Sequence, residues 1–249
     1  MGVSILYWSI IINSITVIKS ISDLIDIADK LPSDDYVRGW FYRGQADANW
    51  ELEPKAHRAP HNLGDKFTFK FKMWLKQAYK YPEMEYENDL EAMAIAQHHG
   101  FATKLLDWSS NILTAAFFAC NNSFDKDAKI YAYYPTQYAY LEPDVLVPGG
   151  EPERVIGYQP KGVASRLQAQ SGYFTYHKDP EFKIENSFFE PEGHYTLYEW
   201  VIPAEFKTSI ILMLDRLSVN YKTLFPDLDG LSKHHCLLDE VKAIVKRNS

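Results

Sequence analysis

Leu105-Leu106-Asp107-Trp108-Ser109-Ser110-Asn111-Ile112-Leu113-Thr114-Ala115-Ala116-Phe117-Phe118-Ala119-Cys120 is the stretch on which the fold turns. It reads as a short strand from Leu105, a turn over residues 107–110 and a helix over 112–120. A helix that is apolar on every side is buried on most sides, so this one belongs at the centre of the molecule. Ser109, Ser110 or Asn111 can cap it, and its free N–H groups attract anionic or strongly polar ligand atoms. One carboxylate, Asp107, and a run of hydroxyls therefore sit where a strand hands over to a buried helix.

A second stretch, Trp40-Phe41-Tyr42-Arg43-Gly44-Gln45, embeds an arginine in aromatic residues. Extended backbone puts Phe41 and Arg43 on one side and Trp40 and Tyr42 on the other. Arg43 then emerges at a strand end beside Gly44, where the backbone can approach a ligand closely. Between the two stretches, Asn88 caps a helix whose apolar stripe of Leu90, Met93 and Ala94 ends in Gln97-His98-His99-Gly100. Burial obliges such polar groups to find partners.

The remaining chain fits one folded unit over residues 1–249. Ser20 or Ser22 caps a short helix that ends at Leu31-Pro32. Residues 65–80 have both helical and alternating character and read as a helix because of their length. Strands are expected over 129–134, 164–177 with an interruption at Gly172, and 195–202, with an irregular middle over 142–160. Helices over 204–217 and 228–246 close the chain. Strand pieces and helices without a regular alternation indicate an α+β fold with mixed or antiparallel sheets flanked by helices.

Composition narrows the function classes. The 249 residues are 46% hydrophobic, enough for a large core, and carry a net charge of −7. With a pI near 5.6, nucleic-acid binding by bulk electrostatics is disfavoured. A local basic groove is still allowed, and Lys66, Lys70, Lys72, Lys76 and Lys80 form the one basic, aromatic-rich stretch. That stretch reads first as a solvated helix face and second as a nucleic-acid or target-docking surface. Cys120 and Cys236 lie in apolar helical segments without metal-ligand spacing and read as reduced, buried thiols. The Ile/Val-rich residues 3–18 are too short to span a membrane and read as one or two buried strands. A cytoplasmic protein with no membrane partner and no metal is expected. Phosphate-loop, zinc and nucleophile-elbow motifs are missing from the sequence.

Phe41-Tyr42-Arg43-Gly44-Gln45, Gln97-His98-His99-Gly100, Thr103-Lys104-Leu105-Leu106-Asp107-Trp108, the 115–119 helix end and Arg166-Leu167-Gln168-Ala169-Gln170-Ser171-Gly172-Tyr173-Phe174 resemble the sequence blocks of the FRG-domain family. The resemblance runs from about residue 18 to 230, with the C-terminal helix continuing to 249. The block order is further similar to that of the Arg-Ser-Glu class of ADP-ribosyltransferases, which implies NAD as substrate. On that likeness Arg43 matches the arginine, Asp107-Trp108-Ser109 stands at the polar triplet, and Phe118-Ala119 matches the helix end. The final element departs: residues 165–177 hold no glutamate, and Gln168 or Gln170 takes its approximate place.

The resemblance assigns catalytic roles to Arg43, Asp107, Ser109 and Gln170, and NAD contacts to Tyr42, Arg43, Gly44, Gln97, His98, Trp108 and Tyr173. An arginine grips a pyrophosphate with a planar, permanently charged fork, and aromatic rings stack on nicotinamide or adenine. Departure of nicotinamide leaves positive charge on the ribose, so an acceptor near its 2′-hydroxyl acts mainly in the transition state. The missing acid leaves three readings: Asp107 supplies the charge, the target brings its own base, or the fold binds a nucleotide without turning it over. Arg43 and Asp107 also read as a structural pair joining two strand ends, and Asp107 as a helix cap. The expected activity is NAD-dependent ADP-ribosyl transfer to single-stranded nucleic acid or protein, as a toxin or effector in phage defence, with an antitoxin as partner. The rivals are a catalytically silent nucleotide-binding or interaction module and, ranked lower, a hydrolase or nuclease.

Overall fold

The strands come from segments of very different character. β1 (Phe41–Gln45), β2 (Leu105–Ser109), β3 (Ala128–Tyr133) and β5 (Gly172–Tyr176) are interior strands carrying aromatic residues, whereas β4 (Ile156–Tyr158) and β6 (Leu197–Ile202) form the edges of the sheet. In the computed structural model they pair in the order β4-β5-β2-β1-β3-β6, and every strand pairing is antiparallel. The structure describes residues 17–31, 39–82, 84–134, 146, 155–159, 169–170, 172–181, 184 and 197–248. Of the N-terminal strands expected over 3–18, residues 3–16 lie outside the described residues, as do Gln168 and most of the 142–160 segment; Val17 bridges Val201 and Ile18 is buried.

Seven helices flank this sheet among the described residues: α1 (Ile21–Lys30), α2 (Lys66–Ala78), α3 (Asp89–His98), α4 (Ile112–Cys120), α5 (Ala204–Arg216), α6 (Tyr221–Leu224) and α7 (Leu228–Asn248). The α+β expectation is met, with six mutually antiparallel strands and one parallel bridge, Val17 to Val201, on β6. Local chemistry starts the helices where the sequence indicates. Ser20 and Asp23 form a reciprocal capping box on α1, Asn88 accepts from the Glu91 N–H at 2.9 Å on α3, and Asn111 accepts from the Leu113 N–H at 2.9 Å on α4. Each satisfies N–H groups that the first helical turn leaves unpaired.

Several expectations need correction. No turn interrupts 107–109: β2 runs through to Ser109 because Asp107, Trp108 and Ser109 pair with Phe174, Tyr173 and Gly172 of β5. β4 and α6 were not anticipated; three residues and four residues carry too little periodicity to register. Cys120 is buried and burial pushes its thiol up to about 12, but Cys236 is exposed on the outer face of α7. No helix among the described residues is long and apolar enough to cross a membrane.

The sheet divides the core. On one face Trp40, just before β1, Tyr42 of β1 and Ile130 of β3 pack against α1, α4 and α5, with Phe117 and Ala116 fully buried. Farther along, α2 and α3 cover Leu105, Phe174 and Tyr176. On the opposite face Phe41, Leu106, Trp108, Tyr131 and Tyr133 cluster with Leu52 and Val155.

His57, in the loop after β1, is 8% exposed, and among the described residues its Nε2 finds no partner. Burial, with the Lys104 ammonium adding repulsion, lowers its pKa to about 4. Unfolded chains bind this proton near pH 6.5, folded ones only near pH 4, so stability rises with pH across that window. Acidification is therefore expected to remove about 2 kcal/mol after allowance for solvent screening. Urea midpoints measured at pH 7 and pH 4.5 should converge in His57→Gln relative to wild type. An unchanged acid dependence would place the titration elsewhere.

Candidate functional site

β1 and β2 touch through a single register pair, Tyr42 with Ser109. Beyond it the strands splay, and the side chain of Arg43 fills the gap. Its Nη1 donates to the Asp107 carbonyl at 2.7 Å and stands 3.9 Å from Asp107 Oδ2. A guanidinium thus takes the place of a strand partner at the point where the sheet opens. The expected ion pair is present but loose; the backbone carbonyl is the arginine's closer partner.

The opening continues into a cavity of about 380 Å³ whose walls include Arg43, Gln45, Arg58, Asp107, Ser109 and Gln170. Tyr42, Gly44 and Trp108 also line it, as do Trp50, Phe118 and Phe225. All the residues expected to be catalytic therefore face one space. Burial lowers the pKa of Arg43, Asp107 opposes that shift, and Arg58 adds repulsion; the group keeps its charge because an arginine starts so high. Burial also raises the Tyr42 phenol to about 12, so it stays neutral. Among the described residues, Arg43 Nε and Gln45 Oε1 are buried without hydrogen-bond partners. An orphaned donor and an orphaned acceptor on one cavity wall are what a bound polar ligand would satisfy.

Asp107 is held from behind. Gln97 Nε2 donates to Asp107 Oδ1 at 2.6 Å, and the Thr103 hydroxyl donates to Gln97 Oε1. Gln97 thus orients the carboxylate and does not line the cavity, while Asp107 itself remains 63% exposed. Ser109 Oγ donates to the Gln170 carbonyl at 2.7 Å and accepts from the Asn111 N–H at 3.0 Å. The Gln170 amide in turn donates to the Leu224 carbonyl at 3.1 Å. Both groups carry structural duties inside the wall they form.

Other expected contacts fall elsewhere. His98 packs edge-on to His99, and neither histidine lines this cavity. Tyr173 lies against Phe41 with ring centroids 4.4 Å apart, away from the cavity lining. Trp108 reaches the cavity but is 4% exposed, with its Nε1 donating to Thr175 Oγ1 at 2.8 Å. Gly44 is glycine because α4 crosses it; the space is filled by helix backbone rather than kept for a ligand.

Arg58 and Trp50 were missed from the sequence. Both come from the irregular 46–64 loop, where no periodicity assigns a direction to any side chain. A tryptophan isolated among Asp47, Asn49 and Glu51 was the one available signal, since a large ring in a polar loop needs a surface to rest on.

The wall near Ala46 and Asn122 is pinned from α5. Lys207 is fully buried, and its Nζ donates to the carbonyls of Ala46, Ser123 and Lys126 at 2.8, 2.7 and 3.2 Å. Burial lowers its pKa, opposed by Cys120 and by Asp125, Asp47 and Asp127. Lys207→Met keeps the apolar stem and strands three carbonyls, an expected loss of about 3–5 kcal/mol. A thermal melt within a degree of wild type would show that water replaces the ammonium freely.

The sequence profile of the FRG domain matches residues 38–128. Over those residues the chain is similar to the FRG domain. The FRG segment contains β1, α2, α3, β2, α4 and the start of β3, and hence Arg43, Arg58, Gln97, Asp107 and Ser109. Gln170 and Phe225 come to the cavity from outside it. Neither a curated protein nor a solved structure matches the chain significantly.

Proposed function

We propose that the cavity between β1 and β2 binds NAD and that the protein transfers its ADP-ribosyl group to a macromolecular acceptor. The observation that carries this reading is the Arg43–Asp107 arrangement with Arg58 beside it: two guanidiniums and a buttressed carboxylate on one concave wall. The cavity volume lies within the roughly 300–1,000 Å³ common for small-ligand sites. Arg43 Nε and Arg58 offer donors to a pyrophosphate, and the 47% exposed ring of Trp50 offers a face to a base.

In the reaction the glycosidic C–N bond to nicotinamide breaks and nicotinamide leaves carrying the bonding electron pair. A nucleophile of the acceptor then forms the new bond to the same ribose carbon and gives its proton to Asp107 or to water. Asp107, fixed by Gln97, stabilises the positive charge that develops on the ribose. In a cell this chemistry acts as a toxin or phage-defence effector in the cytoplasm, with an antitoxin as its natural brake. The test is incubation with NAD labelled in its ADP-ribose part, together with cell extract, reading nicotinamide release and label transfer. Absence of both, in every extract fraction, overturns the reading.

One observation favours a second reading. The Ser109 hydroxyl and the Gln170 amide are both engaged in the wall, and Gln170 brings no charge to the place where an acid is expected. A nucleotide-binding module that does not turn its ligand over would show calorimetric binding of NAD with no nicotinamide released.

A further inference from the structure

On α2, Phe67, Phe71 and Trp74 form a ladder of nearly parallel rings. Their successive centroids are 5.5 and 6.0 Å apart, with interplanar angles of 12° and 8°. Phe101 braces the ladder obliquely, 5.6 Å from Trp74. The inner rings are buried, while Trp74 is half-buried and forms the ladder's last rung. That rung lines a groove of about 430 Å³ together with Gln77, Lys80, Tyr81, Met84 and His99. None of these residues belongs to the Arg43 cavity.

The outward face of the same helix, together with the turn that follows it, is basic. Lys66, Lys70, Lys72, Lys76 and Lys80 are all exposed, and no Asp or Glu occurs over residues 66–81. Lys72 reaches the Leu146 carbonyl at 3.3 Å. On a chain of net charge −7 this is a positive stripe, bounded by Asp65 before it and by Glu85 and Glu87 after it. Large rings interrupt it: Phe69 is 70% exposed, Tyr79 87% and Tyr81 54%. A merely solvated lysine face has no use for rings standing in water, which cost free energy and favour association.

We infer that this face binds single-stranded nucleic acid, with phosphates along the lysines and one base in the groove continuing the Phe67-Phe71-Trp74 stack. Charge complementarity selects a polyanion, and the stack selects a flat aromatic ligand. A duplex keeps its base faces stacked inside and cannot present one to Trp74, so the ligand is a single strand. Tyr81, with Lys80 5.1 Å from its ring centroid, closes the groove. Gln77 and His99 supply polar atoms for a base edge. The site stands whether or not the cavity turns over NAD; if it does, the strand held here is a natural acceptor.

The test is fluorescence anisotropy of fluorescein-labelled oligo-dT and oligo-U of about 15 nucleotides, a length within single-strand site sizes, with the full chain and no NAD present. Binding is expected to weaken with salt, with a log–log slope of about −3 for roughly four neutralised phosphates. Lys70→Glu with Lys76→Glu, both on exposed positions that leave the core untouched, should lower affinity at least about tenfold. Tyr81→Ala should lower it about tenfold while flattening the slope little. Tryptophan fluorescence is expected to be quenched on binding, and Trp74→Phe, which preserves the ring stack, should abolish most of that quenching. No anisotropy change at low salt overturns the proposal, as does equal affinity after the double charge reversal. Tighter binding of duplex DNA or of polyglutamate than of the single strands overturns it as well. Because NAD is absent, failure here leaves the transferase reading standing, and failure of NAD turnover leaves this one standing.

Discussion

Gly44→Ala is expected to cost at least about 3 kcal/mol of stability, and with it a large part of the folded population. A Cβ on Gly44 would lie 1.8 Å from the Ala115 carbonyl oxygen and 2.7 Å from the Ala119 nitrogen. Both are backbone atoms of α4, so no side chain can swing aside. β1 cannot retreat either, because Phe41 to Gln45 are all in register with β3, Gly44 opposite Ile130. The strain must therefore separate the central helix from the sheet, opening the core around Tyr42, Ala115 and Ala119. Gly39→Ala is the matched control, since a Cβ there meets nothing within 4 Å. Urea titration should give a much lower midpoint for Gly44→Ala alone; equal midpoints would mean that α4 moves away at little cost.

That glycine also shows where the sequence is legible and where it is not. Its presence in an aromatic strand signals a close backbone approach, but not which partner approaches. Ligand and helix are equally consistent with the letters, and only α4, whose Ala115 lies 71 residues further along the chain, decides. Helices fared better because their signals are local: Ser20 with Asp23, Asn88 with Glu91, and the all-round apolar 112–120 run each fix a start or a burial state. β2 illustrates the opposite case. Asp-Trp-Ser-Ser has turn chemistry, yet pairing with Tyr173 and Phe174 of β5 holds it extended, a tertiary contact overriding local preference. For the site, Arg43 and Asp107 stood out as polar residues in apolar company, whereas Arg58 in an aperiodic loop offered no direction to read. Gln97 was found for the right reason, an inward-pointing amide that needed a partner, although that partner is Asp107 rather than a ligand.

Arg43→Ala is expected to lower NAD turnover by roughly a hundredfold to a thousandfold, the usual consequence of removing one preorganised electrostatic contact. The change does two separable things. It deletes the fork that faces the cavity, and it takes from the Asp107 carbonyl its donor at 2.7 Å, which by itself costs about 1–3 kcal/mol of stability. Arg58→Ala separates them, since it removes a cation from the same wall without touching that hydrogen bond. Arg43→Lys separates them differently: an ammonium keeps the charge but not two parallel donors, so binding through a pyrophosphate should recover only in part. If Arg43 acts by holding ground-state NAD, Arg43→Lys and Arg58→Ala raise KM with kcat little changed; if it acts as charge develops on the ribose, kcat falls with it. Asp107→Asn completes the set. It preserves the Gln97 contact through the amide oxygen, which accepts from Gln97 Nε2, and removes the negative charge, so it should strike kcat and leave NAD binding nearly intact. Turnover unchanged in both Arg43→Ala and Asp107→Asn, with the fold confirmed by thermal melts, would reduce the splayed strands to a structural brace, the arginine serving only to close the sheet where β1 and β2 part.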